Sequence, residues 1–229
     1  MTLNKNTGLL ITFLVVSAFH LIGIIIKQPL LADVTKVLLM PLLLGHVIAL
    51  PNRKFIGFNL LVIAILFCWA GDVLLMFTEN NELFFLLGLA SFLIGHIFYM
   101  LTFNKMADKN SIGKPLQPLF YLLPLLFALS LLIVLFPNFG EMNVAVIAYA
   151  TVISLMCVAA MRRWQRTDTP SFITVLTGAV LFIFSDALIA INKFHTPFNS
   201  ASLLIMITYI AAQYLIITGL LKHVHPIKN

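Results

Sequence analysis

Residues 55–77 read FIGFNLLVIAILFCWAGDVLLMF, twenty-three residues with a single charge, Asp72. About 20 consecutive apolar residues suffice for a helix to cross the hydrocarbon core of a bilayer. Within lipid the backbone must satisfy its own hydrogen bonds, which makes such a run a helix. The one charge is expensive. An aspartate near the middle of a spanning helix costs about 2.5–3.5 kcal/mol on insertion scales. A second stretch, TGAVLFIFSDALIAINKF (177–194), repeats the oddity with Asp186.

Outward from residues 55–77 the chain continues in the same manner. It is 61% hydrophobic and only 10% charged over 229 residues, where a soluble domain carries about 25% charged residues. Apolar runs between polar breaks give eight spans: 8–26, 33–50, 55–77, 82–103, 117–136, 142–161, 171–192 and 200–221. The breaks are too short to hold a soluble domain. The expected fold is all-α: a polytopic membrane bundle of eight transmembrane helices forming one integral membrane domain, 1–229. Any site must then lie within the helices. The first span has no small-x-small cleavage site and is followed by seven more, so it reads as a retained helix rather than a signal peptide. The second is the least regular, holding Asp33, Lys36, Pro41 and His46. Residues 104–116 form the longest loop, with Gly113 and Pro115, and are the expected link between two halves.

Basic residues orient the bundle. Eleven of the fourteen lie in the N-terminal tail and the even-numbered connections, including Lys5, Arg53, Lys54, Lys109, Arg162, Arg163 and Lys228. Only Lys27 and Lys193 fall on the other side. Positive charge marks the cytoplasmic face, which puts both termini inside. The net charge of +6 is this topology signal. No basic-aromatic stripe suggests nucleic acid. Cys68 and Cys157 both lie within spans, where cysteine behaves as a small hydrophobe rather than part of a disulfide framework.

Depth follows from the rise of 1.5 Å per residue. Asp72 and Asp186 each lie about 8–9 Å below the outer helix ends. Lys36 and His20 fall in the same outer half from two further spans, and Asn192 and Lys193 close the seventh span above them. Tyr209 and Gln213 stand one turn apart on the eighth. His96 and Tyr99 share a face in the inner half of the fourth. This pattern suggests a polar cavity opening to the outer leaflet. Each residue also has a plainer reading. A lone histidine such as His20 or His46 often only ties helices together, Lys36 can snorkel to headgroups, and Tyr209 with Gln213 can be inter-helix glue. Gly71, Gly88, Gly95 and Gly178 suit close helix approach. For the aspartates, matched depth argues against packing alone. No histidine pair has ligand spacing and the cysteines lack near partners, so no metal is expected.

WAGDVLL and IFSDALI share a small residue, Asp and Leu, and their spans run in the same direction. This echo fits a parallel repeat of four plus four helices.

The stretches TKVLLMP (35–41), WAGDVLLMF (69–77), FLLGLASFLIGHIFYMLTF (85–103), TGAVLFIFSDALIAINKF (177–194) and IMITYIAAQYLI (205–216) resemble the YhhN family of membrane lysoplasmalogenases. They cover five of the eight spans. Together the GD, GHxxY and SD elements, in this order on an eight-span chain, are specific, although each alone is weak. The resemblance implies a hydrolase that cleaves the vinyl ether bond of a lysophospholipid. Its products would be a fatty aldehyde and glycerophosphocholine or glycerophosphoethanolamine. It implies water and membrane lipid as partners and no metal or organic cofactor.

Vinyl ether hydrolysis begins with proton transfer to the β-carbon, which leaves an oxocarbenium ion for water to attack. It needs a carboxylic acid that holds its proton near neutral pH and a negative group to stabilise the cation. Two carboxyls in different environments can divide those roles, though a coupled pair titrates as a unit. The working assignment is Asp186 as acid and Asp72 as base. Lys36, Lys193 and His20 would hold the phosphate. Asn192, Tyr209, Gln213, His96 and Tyr99 would line the cavity. The rival from another class is a proton-coupled secondary transporter, since intramembrane Asp, Lys and His also build proton relays. The compact, undecorated chain suggests a bacterial inner membrane.

Overall fold

The computed structural model describes residues 5–50, 55–79, 81–108 and 114–223. Eight helices form among them: α1 Lys5–Ile25, α2 Pro29–Ile48, α3 Phe58–Leu75, α4 Glu82–Met106, α5 Leu122–Leu135, α6 Asn143–Met161, α7 Thr169–Phe194 and α8 Ala201–Lys222. Short 3-10 turns, Pro118–Tyr121 before α5 and Phe136–Asn138 and Gly140–Met142 after it, extend that span at both ends. No strand forms among the described residues, and all eight helical segments are long and apolar enough to cross a membrane.

The helices lie where hydropathy put them, and their ends moved for local reasons. α2 begins four residues before 33 because Pro29 sits at its first turn, where a missing N–H costs nothing. α7 begins at Thr169 because the Asp168 carboxylate accepts the Ser171 N–H, capping the helix, with Pro170 following. α4 runs on to Met106, so part of the expected 104–116 loop is helix; 109–113, with Gly113, lie outside the described residues. Of the basic residues behind the topology reading, Arg53, Lys54, Lys109 and Lys228 lie outside them too, as does the Lys5 side chain.

Many large apolar side chains are exposed. α5 buries only Pro124 and Leu135, while Leu122, Leu123, Leu126, Leu129, Ile133 and Val134 all face outward. In water a patch of this extent would drive association; against lipid tails it is an ordinary surface. The protein is therefore an integral membrane protein.

Contacts divide the chain into two compact units, Met1–Phe98 and Tyr99–His225. The division falls inside α4 rather than in the long loop. In the first unit Trp69 Nε1 donates to Val37 O at 3.0 Å, joining α3 to α2. Ser91 Oγ donates to Phe67 O at 2.7 Å, joining α4 to α3. In the second unit α7 and α8 form the tightest pair. A Cβ on Gly178 would lie 2.9 Å from Ala212 O, so the two backbones can approach this closely only at glycine.

The end of α6 holds a finding that the charge pattern did not suggest. Arg163, read as a topology charge, is fully buried. Its Nη2 donates to Ser171 Oγ at 2.8 Å, and Ser171 Oγ donates onward to Gly219 O at 2.7 Å. The guanidinium thus ties α6, α7 and α8 together, 6.0 Å from the Phe103 ring centroid. Burial pushes its pKa down to about 10, against the opposing pull of Asp168.

Candidate active site

Asp186 sits on α7, one residue after Ser185. Ser185 Oγ donates to Ile205 O on α8 at 3.1 Å, and Phe182, one turn earlier, meets the Tyr209 ring edge-on at 5.5 Å. These contacts turn that face of α7 toward α8. At 3.6 residues per turn the next residue swings round toward α6, where the Tyr149 hydroxyl donates to Asp186 Oδ2 at 2.6 Å. Tyr149 is buried and Asp186 half-buried. The carboxyl keeps access because it borders an open groove between α5, α6 and α7. Tyr149 and Asp186 are the polar side chains of a lining otherwise apolar.

The reading of the sequence passed over Tyr149. A tyrosine in an apolar span looks like aromatic filler. The depth rule that selected the aspartates would have found it: it lies seven residues from the outer end of the 142–161 span, about 10 Å deep, beside Asp186 at about 9 Å.

Tyr99, Tyr209 and Gln213 form one hydrogen-bonded group. Tyr99 Oη donates to Gln213 Oε1 at 2.5 Å, and Gln213 Nε2 donates to Tyr209 Oη at 3.4 Å. All three are buried, and the chain links the end of α4 to α8. Asn192 is used locally: its Oδ1 accepts the Phe198 N–H at 3.2 Å and shapes the turn from α7 to α8. Lys193 beside it is exposed.

In the first unit Asp72 is buried on α3, 3% exposed. The preceding Gly71 is required by packing, since a Cβ there would lie 2.6 Å from the Phe92 ring on α4. The small residue before each aspartate thus meets the following helix, Gly71 at α4 and Ser185 at α8. Lys36 is half-buried on α2. His20 is buried on α1. Its Nδ1 lies 2.9 Å from Ala32 O and 3.1 Å from Thr35 Oγ1. A carbonyl only accepts, so Nδ1 carries the proton and ties α1 to α2. His46 does the same at the other end, with Nδ1 2.9 Å from Asn6 O. His96 is fully buried, its ring stacked near Phe92 at 6.4 Å. Among the described residues no three His, Cys, Asp or Glu side chains are grouped to hold a metal ion.

The family model described as the YhhN family matches residues 31–220. A protein named lysoplasmalogenase TMEM86A from Bos taurus is 30% identical over 192 residues, covering 81% of this chain and 73% of that protein. Lysoplasmalogenase TMEM86A from Homo sapiens is 30% identical over 196 residues, with the same coverage. Lysoplasmalogenase TMEM86B from Sus scrofa is 32% identical over 164 residues, covering 70% of this chain and 63% of that protein. No solved structure matches the chain.

Proposed function

We propose that this chain, which belongs to the YhhN family, hydrolyses the vinyl ether bond of a lysoplasmalogen to a fatty aldehyde and a glycerophospho alcohol. The observation that carries the reading is Asp186, a carboxyl held by a phenol at 2.6 Å and open to an apolar groove. A vinyl ether sits where the hydrocarbon chain of the lipid meets its polar part, so its acid catalyst needs both settings at once.

In this scheme Asp186 gives its proton to the β-carbon, and the π pair forms the new C–H bond. The carbon bearing oxygen becomes an oxocarbenium ion. Water adds there and passes a proton to Asp72. The hemiacetal then breaks its C–O bond to the glycerol oxygen, which takes the proton of the hemiacetal hydroxyl as the aldehyde carbonyl forms; Asp72 releases its proton to water and Asp186 regains one from it. Tyr149 fixes the orientation of Asp186 through Oδ2, and Lys36 and Lys193 draw the phosphate. A positioned general acid contributes about 10²–10⁴-fold, and stabilisation of developing charge by fixed groups supplies the larger share. The proton-coupled transporter is not favoured, since the relatives carry the name of a hydrolase.

Product analysis tests the reaction class. Purified protein is incubated with a lysoplasmalogen and with an ester lysolipid of equal chain length, and products are read by mass spectrometry. Aldehyde from the first and no fatty acid from the second is expected. Fatty acid from the ester lipid, or no product from either, contradicts the reading.

A further inference from the structure

The groove beside Asp186 has a direction. On α5 it is lined from Phe127 to Leu135, on α6 from Ala150 back to Val146, and on α7 from Ile183 to Ala190. The α5 stretch covers about 12 Å at 1.5 Å per residue. Asp186 stands near the middle of the α7 stretch, and Tyr149 lies one residue from the Ala150 end of the α6 stretch. One end runs toward Phe127 and Ile183, the other toward Phe139 and Val146. At the first end Phe127 meets Phe184 with ring centroids 5.4 Å apart, and both rings are exposed on the outer surface of their helices. The wall between is low, because Ala128, Ala150 and Ala187 present only methyl groups.

From these contacts we infer that the α5–α6–α7 groove is the binding slot for the hydrocarbon chain of the lipid substrate, running from the Tyr149–Asp186 pair toward Phe127, with Phe127 limiting chain length. The inference rests on the proposed hydrolase reading and deepens it. The occupant follows from the lining. A glycerophosphate head in this slot would lose its hydration and meet no cation, and burying an unpaired charge is prohibitive. An alkyl chain matches every apolar wall. It also enters without leaving lipid, because the neighbouring α5 face, Leu122, Leu126 and Leu129 included, is exposed. Seated so, the chain places the bond at its head against the one carboxyl in the groove lining.

Two readouts test the slot. The first is photolabelling in detergent micelles with a 1-O-alkyl lysophosphatidylethanolamine bearing a diazirine in its chain; this probe has no vinyl ether and is not cleaved. Label on α5, α6 and α7 residues of the groove, displaced by unlabelled lysolipid, is expected. Label spread evenly over lipid-facing helices and not displaced is the mark of annular lipid only, and overturns the inference whatever the activity. The second is a chain-length profile of kcat/KM for the wild type, Phe127→Ala and Ala150→Leu. Removing the Phe127 ring should shift preference toward longer chains by at least about tenfold relative to short ones, the low end of what one methylene is worth in an apolar pocket. Filling the slot at Ala150 should shift it toward shorter chains. Profiles that keep their shape overturn the inference, even if overall rates fall. Displaceable groove labelling by a protein that releases no aldehyde would uphold the slot while sinking the hydrolase reading.

Discussion

The Tyr149 hydroxyl donates to Asp186 Oδ2 at 2.6 Å across the contact between α6 and α7. The bond binds a carboxyl to a helix other than its own and sets which way its second oxygen points. Tyr149→Phe keeps the ring and deletes only the donor. We expect kcat for aldehyde release to fall at least about tenfold with KM little changed, since an interaction that orients an acid acts on the chemical step. A rise in KM alone would assign Tyr149 to lipid binding instead. Melting of the purified variant should drop by no more than the equivalent of about 1–3 kcal/mol, the cost of one unsatisfied buried group.

Proton transfer to carbon leaves a permanent mark. Hydrolysis carried out in D₂O should place one deuterium on the carbon next to the aldehyde carbonyl, read by mass spectrometry of the trapped product. An aldehyde that forms without deuterium at that carbon excludes protonation at carbon as the first step.

At Gly178 the α7 and α8 backbones approach closely: a Cβ added there would lie 2.9 Å from both Ala212 O and Ile216 N. Backbone atoms cannot move aside as a flexible side chain can. Gly178→Ala should therefore destabilise the protein by about 1–3 kcal/mol, as overpacking does, and lower its melting temperature in detergent. Gly8, which has open space around it, tolerates the same change and serves as the control.

Asp168 caps α7 through the Ser171 N–H and pairs with His223 at the end of α8. Partial burial works against its ionisation, but the Ser171 N–H and then His223 outweigh it and hold the carboxyl below its usual range. A carboxyl with a depressed folded pKa stabilises the fold above its unfolded value, about 3.9, and that contribution is lost as pH falls through the lower, folded value. Asp168→Asn keeps an acceptor for the Ser171 N–H and removes only the charge, so it should cost about 0.3–1 kcal/mol at neutral pH, the scale of a charge at an exposed helix N-terminus. Its melting deficit should shrink once the pH drops below about 3.9. A deficit unchanged down to about pH 3, below that unfolded value, would mean that the charge contributes nothing.

Hydropathy made the eight helices legible because apolar runs of spanning length leave little choice of structure. Their ends were less legible, since Pro29 and Asp168 act over one turn and average out of a long window. The candidate site was legible in Asp186, whose charge is costly in lipid and so conspicuous. It was less so in its neutral partners. Tyr149 carries no charge, and only the fold shows that it meets Asp186. Arg163 was hidden for the opposite reason: a basic residue at a span end reads as topology, and its burial against Ser171 depends on how α6, α7 and α8 converge.

If Asp72 and Asp186 carry the acid and base work, direct substitution exposes it. Asp72→Asn and Asp186→Asn keep the shape of each side chain and remove the exchangeable acid. Each variant, purified and checked as monodisperse with unchanged melting, is assayed for aldehyde release from a lysoplasmalogen beside the wild type. Release should be lost in both, by at least the factor of about 10² that a positioned general acid provides. Turnover near the wild-type rate by either variant would refute the paired-carboxylate mechanism.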